Sequence, residues 1–567
     1  MNDTTLKTRR VLFNTQFSWP YAPVDLSLAA ALRWRGHQVA MVACGGLPAY
    51  CEQETDVLKR PACDACVRNI TSRFDELHLD HYLLKDYYTA ADVAEADRIT
   101  SQMPLARLLA LEFKSVPVGK LARLNLFQYF HGAPLEIPPD KEKIFRRCLH
   151  SALLFTEAAD RILDHYRPDL VVTVNGKFLQ WAPFVHLARK KGIAFATWED
   201  LGLVPSGTII ALNDIAHEQR IDSAWPELSQ KPLTDEQRQR LREHFKLWKE
   251  GKNTPWPIYG QDAEWNPDHA RQPLGLRRDA PVVSLFPNVS WDSTSVGLDG
   301  AFESMFDWVF QAVSYARSHP EVEVVIRAHP AETKIADHFK SSTPVCAEVR
   351  RRFPDLPANV KLVDSDSPIA SYAIAALSQV TMVYASTFGL ELALQGVRPW
   401  VASRVYYAGK GFTLDLRSAQ HMFELLDAKQ FDNKLAAEQI ELAERFAFAV
   451  RFQRVFPFPR IEKDGRFTAA TLADFAPGAN PVLDRLCDYL LTGEPFFDVG
   501  NSLASSPVPT VEPSPVFSPK AWEHLSNVPE WKGASAPEPA IGRARLSERA
   551  GDGRIRMKPP MPGILPP

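Results

Sequence analysis

The sequence predicts two consecutive α/β domains built on largely parallel sheets, and three observations predict it. Short apolar runs rich in β-branched residues alternate with stretches of helical spacing, the pattern of strand-helix-strand units. That alternation occurs twice, over about 10–200 and again from 281, with a polar stretch rich in Pro, Gln, Lys, Arg and Trp between. The chain of 567 residues is too long for one core, since single cores stop growing at about 250–300 residues.

Composition removes several function classes. Lys plus Arg number 65 against 68 acidic residues, a net charge of -3, so the global basic field of nucleic-acid binders is missing and no nucleic-acid partner is expected. No apolar run reaches the roughly 20 residues that cross a bilayer. Lys7, Arg9 and Arg10 precede VLFNTQFSW without a long apolar core or a small-residue cleavage site, so a soluble, cytoplasmic protein is expected. Seven cysteines in so long a chain do not make a disulfide scaffold.

In order, RVLFNTQ (10–16) reads as a first strand, a helix runs from about Pro23 to Arg35, Gly36-His37 stops it, and QVAMVAC is a second strand. This is a Rossmann-like beginning without GxGxxG, so no dinucleotide cofactor is indicated. Cys44, Cys51, Cys63 and Cys66 follow with spacing C-x6-C-x11-C-x2-C. Four thiolates so close could hold a structural zinc; ordinary buried thiols and a redox role are the other readings. From Ala90 to Tyr166 apolar residues recur every three or four places, as in CLHSALLFTEAADRIL, marking core-facing helices. PDLVVTV then restores a buried strand ending at Asn175-Gly176-Lys177, and the helix WAPFVHLARKKG leads to IAFATW. That strand delivers Glu199 and Asp200, followed by Leu201-Gly202. Adjacent carboxylates at a strand end could serve as a general base or cap a turn.

Residues 222–280 read as an interdomain linker with one helix, TDEQRQRLREHFKLWKEG. PVVSLFP opens the second domain and runs into Asn288-Val-Ser-Trp-Asp292-Ser-Thr294, a loop suited to a phosphate or sugar hydroxyl or to an Asx turn. In EVEVVIRAHPAE (321–332) a buried strand ends at Arg327, His329 and Glu332. Proline holds the residue before it extended, so the His329 imidazole should project from the carboxyl edge, where open α/β sheets bind ligands; a helix cap is the plainer reading. VTMVYASTFGLELALQG carries Ser386, Thr387 and Gly389 into a helix with Glu391 in its first turns, which suits an anionic phosphate or a simple N-cap. YYAGKGFT offers Lys410 as a cation for a diphosphate. Helices are expected to about Leu491, and the proline-rich last stretch reads as a disordered tail. The expected domains are 1–221 on the acceptor side, the 222–280 linker, 281–430 on the donor side, C-terminal helices over 431–499, and the tail over 500–567.

The RGHQV turn with the cysteine group, VNGKF, TWEDLG, LFPNVSWD, RAHPAE, ASTFGLELALQG and YYAGKGF together resemble bacterial surface-polysaccharide glycosyltransferases of the capsule polysaccharide biosynthesis family. The resemblance spans about residues 10–430 and implies two facing Rossmann-like domains, the GT-B fold. There is also similarity to sialyl- and Kdo transferases of this fold, whose D/E-D/E-G, HP and Ser/Thr-rich motifs would correspond to Glu199-Asp200, His329-Pro330 and Ser386-Thr387. Leu201 interrupts the first of these and leaves the identity of the base open. The resemblance implies that one of Glu199 and Asp200 activates the acceptor hydroxyl, that His329 contacts the donor phosphate, and that Ser386 and Thr387 bind phosphate.

The implied donor is a nucleotide sugar, CMP-linked sugars among the candidates. The acceptor would be a glycan or lipid-linked glycan, reached from the cytoplasm with peripheral membrane or complex association at the inner face. Arg327, Lys410 and helix amides could stabilise the leaving phosphate without a catalytic metal, with Asn288, Asp292, Glu332, Gly389 and Glu391 as further donor contacts. The competing readings are a polyol-phosphate transferase of the teichoic-acid type, a sugar-nucleotide 2-epimerase, and a non-catalytic envelope-assembly scaffold.

Overall fold

The computed structural model describes residues 7–16, 22–46, 51, 63–132, 136–200, 207–250, 266–292, 297–298, 300–335, 340–431, 433–458 and 472–493. The tail expected over 500–567, Leu201-Gly202, Thr294 and most of the cysteine stretch lie outside them.

The first sheet is formed by β1 (Arg10–Gln16), β2 (Gln38–Ala43), β3 (Asp80–Leu83), β4 (Leu170–Val174), β5 (Ala194–Asp200) and β6 (Gly207–Leu212). The second contains β7 (Val282–Phe286), β8 (Glu323–Arg327), β9 (Val360–Val363), β10 (Val380–Val383), β11 (Pro399–Val401) and β12 (Leu414–Asp415). A short β13 (Phe456–Pro457) joins the first sheet at its edge, giving the orders β13-β6-β5-β4-β1-β2-β3 and β12-β11-β10-β7-β8-β9. Among these thirteen strands every pairing is parallel except β5 with β6 and β6 with β13. Central strands such as LVVTV, VVSLF and EVVIR are buried along their whole length, as parallel sheets covered on both faces require. Both domains are Rossmann-like, the two consecutive α/β domains that the sequence predicts.

Helices cover both faces of each sheet. In the first domain Ala22–Trp34 and Pro481–Thr492 pack on one side, and Val118–Phe130, Pro139–Tyr166 and Ala182–Lys191 on the other. The stretch expected to link the domains contributes directly to the second core. Thr234 and Gln237 form a reciprocal capping box that starts the helix Asp235–Lys249, and its Leu241 and Phe245 are buried with Ala270 and Leu276 among second-domain residues. The C-terminal helices divide between the domains. Ala437–Phe448 belongs to the second core, a π-helical turn follows at Ala449–Gln453, and the chain then returns to pair Phe456 with Thr208 and pack Phe475, Leu483, Leu486 and Leu490 on the first domain. Asn480 caps that last helix, accepting from the amides of Val482 and Leu483 at 3.1 and 3.2 Å.

Strand order reverses between β1 and β4 in one sheet and between β7 and β10 in the other. Open α/β sheets bind ligands at the carboxyl ends of strands at such reversals, and those two edges carry most of the candidate residues. No helix among the described residues is long and apolar enough to cross a membrane.

Candidate functional site

On the first-domain edge β4 ends in a left-handed turn, Asn175 at φ 51° and Gly176 at φ 79°. A Cβ at Gly176 would stand 2.9 Å from side-chain atoms of Ile215 and Thr197, so glycine is required by space as well as by φ. The turn lets Asn175 Nδ2 donate to Glu199 Oε2 at 2.6 Å while Asn175 Oδ1 accepts from the Lys177 amide at 3.0 Å. His217 Nδ1 lies 3.3 Å from the same carboxylate oxygen. Glu199 is thus oriented from two sides by groups on different loops.

Asp200 is half-buried next to it on β5, but neighbouring side chains on a strand point to opposite faces. Trp198, on the Asp200 face by that alternation, donates its indole N–H to Asp25 at 2.6 Å. The two adjacent carboxylates therefore belong to different sides of the sheet. Asp25, at the start of the helix Ala22–Trp34, is fully buried, and burial pushes its carboxyl up to about 7 against the Trp198 and Thr15 contacts that lower it.

On the second-domain edge, Asn288 Nδ2 donates to the Ala385 carbonyl at 3.2 Å and its Oδ1 accepts from the Val289 amide at 2.8 Å. This ties the loop after β7 to the loop after β10 across the strand-order reversal. Ser386 Oγ accepts from the Phe388 amide at 3.3 Å and Thr387 precedes the helix Phe388–Leu394. Tyr407 donates its hydroxyl to the Ser386 carbonyl at 2.5 Å, and a Cβ on Gly389 would collide with that hydroxyl. Gly389 is needed for this close approach.

His329 has extended backbone before Pro330, and its Nδ1 accepts from the Ala331 amide at 3.1 Å. Burial pushes the imidazole down to about 4, with Asp292 opposing and Arg327 reinforcing the fall. A neutral ring whose Nδ1 accepts must carry its proton on Nε2. The cap reading and the site reading are therefore compatible, because the cap sets the tautomer.

Other sequence candidates face inward. Arg327 is 2% exposed and donates to the backbone carbonyls of Asp364 and Ser367, which fixes the loop after β9. Glu332 is 1% exposed and accepts from the Val345 amide at 3.0 Å. Glu391 is buried and bonded by the Tyr372 hydroxyl. Lys410 is buried and paired with Asp222, so it holds its loop to the start of the interdomain stretch. One Asp-x-Asp triplet does occur, Asp364-Ser365-Asp366 after β9; Asp364 is engaged by Arg350 at 2.9 and 2.6 Å and Ser365 by Thr333 at 2.8 Å. Cys44, Cys51, Cys63 and Cys66 are all free of disulfides and partly buried. Among the described residues no group of three or more His, Cys, Asp or Glu side chains is placed to hold a metal ion.

The two edges communicate. Gln128 donates to the Trp291 carbonyl at 2.5 Å, the Ser342 amide donates to the His131 carbonyl at 2.7 Å, and the His131 and Trp291 rings meet edge-on at 4.7 Å. Lys177 is partly buried, 3.8 Å from Glu218; desolvation lowers its pKa, while Glu218 and, from the other domain, Asp292 act to raise it. Asp292 is likewise within electrostatic reach of His329. The structure thus brings Asn175, Lys177 and Glu199 into one neighbourhood with Asp292 and His329. Lys177, His217 and Trp291 were not singled out from the sequence. The Asn-Gly at a strand end was a signal for the first; nothing local marks His217, which arrives by the antiparallel β6.

No family model matches the chain, and no curated protein matches it. Among solved structures it is similar to two KpsC transferases of Thermosulfurimonas dismutans. One is a beta Kdo 2,4 transferase, at 15% identity and TM-score 0.31 over 48% of this chain and 78% of that one. The other is a beta Kdo 2,7 transferase, at 13% identity and TM-score 0.27 over 48% and 75%. It is also similar to the UDP-GlcNAc 2-epimerase of Neisseria meningitidis bound to UDP-GlcNAc, at 9% identity and TM-score 0.24 over 77% and 97%.

Proposed function

We propose that this chain is a glycosyltransferase that moves a sugar from a nucleotide-sugar donor to a hydroxyl of a surface-glycan acceptor, with CMP-linked sugars among its candidate donors. The observation that carries the reading is the pair of opposed edges: a neutral His329 with Nε2–H as donor on one domain, and Glu199 oriented by Asn175 and His217 on the other. Transfer needs a stabilised phosphate leaving group and a base that takes the acceptor proton. His329 Nε2–H would donate to a phosphate oxygen, with Ser386 and Thr387 on the same sheet edge, two strands away at the end of β10. Glu199 would take the proton as the acceptor oxygen bonds to the anomeric carbon and the sugar–phosphate bond breaks. The phosphate leaves with the nucleotide.

The test is binding and turnover of CMP-, UDP-, GDP- and CDP-linked sugars by wild type, His329→Ala, Glu199→Gln and Asp200→Asn. His329→Ala should weaken binding of one nucleotide family by about tenfold, the worth of a charge-assisted hydrogen bond. That contact should persist from pH 6 to 8, because a histidine with its pKa near 4 does not titrate there. Glu199→Gln should bind normally and lose turnover. Turnover lost in Asp200→Asn but kept in Glu199→Gln would reassign the base. Phosphorus in the product would favour a polyol-phosphate transferase, and no nucleotide binding by folded protein would refute the reading.

A further inference from the structure

Arg451 has no role in the site described so far, and its surroundings are unusual. It lies on the π-helical turn Ala449–Gln453, where the chain leaves the second domain to return to the first. Single π-turns are rare and often occur at functional positions, because they displace side chains from the regular helical rows. Arg451 is 7% exposed. A guanidinium presents five N–H donors, yet among the described residues no hydrogen bond or ion pair closes on this one, and its Nε is fully buried without a partner. Its close contact is the ring of Trp248, 5.6 Å to the centroid.

The charges around it do not cancel. Glu391 is the nearby carboxylate, and it already accepts from Tyr372 and the Trp248 indole, while burial raises its pKa and so weakens its charge. Lys249 lies in its field and 5.2 Å over the Tyr372 ring. Arg240 sits 4.6 Å over Phe452. His244 is kept neutral, burial pushing it down to about 3 with Arg451 and Arg240 acting in the same direction. Two cations, Arg451 and Lys249, therefore act on one shared carboxylate, Glu391. A buried, uncompensated charge is strongly destabilising, so the arrangement is suited to an anion that arrives from outside.

Resting on the transferase reading, we propose that Arg451 anchors a site for a phosphate group of the donor nucleotide, reached past Tyr406 and Thr387. The Tyr406 hydroxyl is buried, lies toward Thr387 without a well-formed hydrogen bond, and is within electrostatic reach of Arg451. Tyr406 is thus coupled both to the loop after β10, through Thr387, and to the guanidinium. The residue belongs to the segment joining the domains, so phosphate bound there also touches the crossing point of the chain.

The experiment is calorimetry and thermal melting of the full chain, wild type against Arg451→Gln and Arg451→Lys. The probes are CMP, UMP, CDP, UDP and GDP, cytidine, uridine and guanosine, and inorganic pyrophosphate. Arg451→Gln should lose about tenfold or more in affinity for the nucleotide that binds wild type, leave nucleoside affinity unchanged, and recover in part with Arg451→Lys, which restores charge without the planar fork. Without ligand, Arg451→Gln should melt no lower than wild type, because it removes a buried charge that shares its one carboxylate with Lys249. Equal nucleotide affinity in wild type and Arg451→Gln overturns the inference and leaves the transferase reading standing. A lower melting temperature with unchanged affinity overturns it too, in favour of simple packing on Trp248. If no nucleotide binds wild type, the transferase reading fails; pyrophosphate stabilisation that depends on Arg451 then upholds the anion site, and its absence ends it.

Discussion

Glu332→Gln should stabilise the protein in proportion to pH. Glu332 follows the His-Pro pair, is 1% exposed, and has one carboxylate oxygen on the Val345 amide and the other, Oε2, buried without a partner. Burial raises its pKa from 4.5 to about 8; the Val345 amide and Arg327 oppose that rise and Asp364 reinforces it. Between those two values the folded chain holds a proton that the unfolded chain has released, so stability falls as pH rises. The loss works out at about 3 kcal/mol at pH 7 and about 5 kcal/mol at pH 9 relative to pH 4. Glutamine keeps the acceptor for Val345 and never ionises. Chemical denaturation of wild type and Glu332→Gln, followed by tryptophan fluorescence from pH 4.5 to 9, should show matching midpoints at the acid end that separate steadily to about pH 8. A difference that does not change with pH would refute the reasoning.

Two further outcomes test the packing that positions the site. Gly389→Ala places a methyl against the Tyr407 hydroxyl and should destabilise by about 1–3 kcal/mol, as overpacking does; Tyr407→Phe in the same chain should recover part of that, and a loss that Phe leaves untouched would place the strain elsewhere. Phe245→Ala, in the stretch between the domains, should cost about 3–5 kcal/mol if its ring is core; a change within about 0.5 kcal/mol in the denaturation curve would mean a solvated linker after all.

Strand and helix periodicity was enough to read two parallel α/β domains, because strands buried on both faces must be continuous apolar runs and the helices between them must be amphipathic. VLFNTQ, LVVTV, VVSLF and EVVIR were all legible on that basis. The His329 position was legible too, since Pro330 dictates the local backbone. The antiparallel β6 and the edge strand β13 were not, for short strands take their state from neighbours distant in sequence. The helix Asp235–Lys249 read as linker because its composition is strongly polar, although Leu241 and Phe245 make one face of it core.

Side-chain partners lay further beyond reach. Glu199 and Asp200 are one residue apart in sequence and on opposite faces of β5. Arg327, Glu332, Glu391 and Lys410 looked like ligand-binding groups from their positions at strand and helix ends, and only the fold shows that carbonyls, an amide, Tyr372 and Asp222 engage them. Asp292 comes within reach of both Lys177 and His329 because two sheets bring their carboxyl edges together. The sequence by itself determined the two sheets and the loops that leave their carboxyl ends, because local periodicity and backbone restriction act over a few residues. Which side chains in those loops remain available for chemistry was decided only by the tertiary structure, since burial and pairing depend on residues more than a hundred positions apart, as between Lys410 and Asp222.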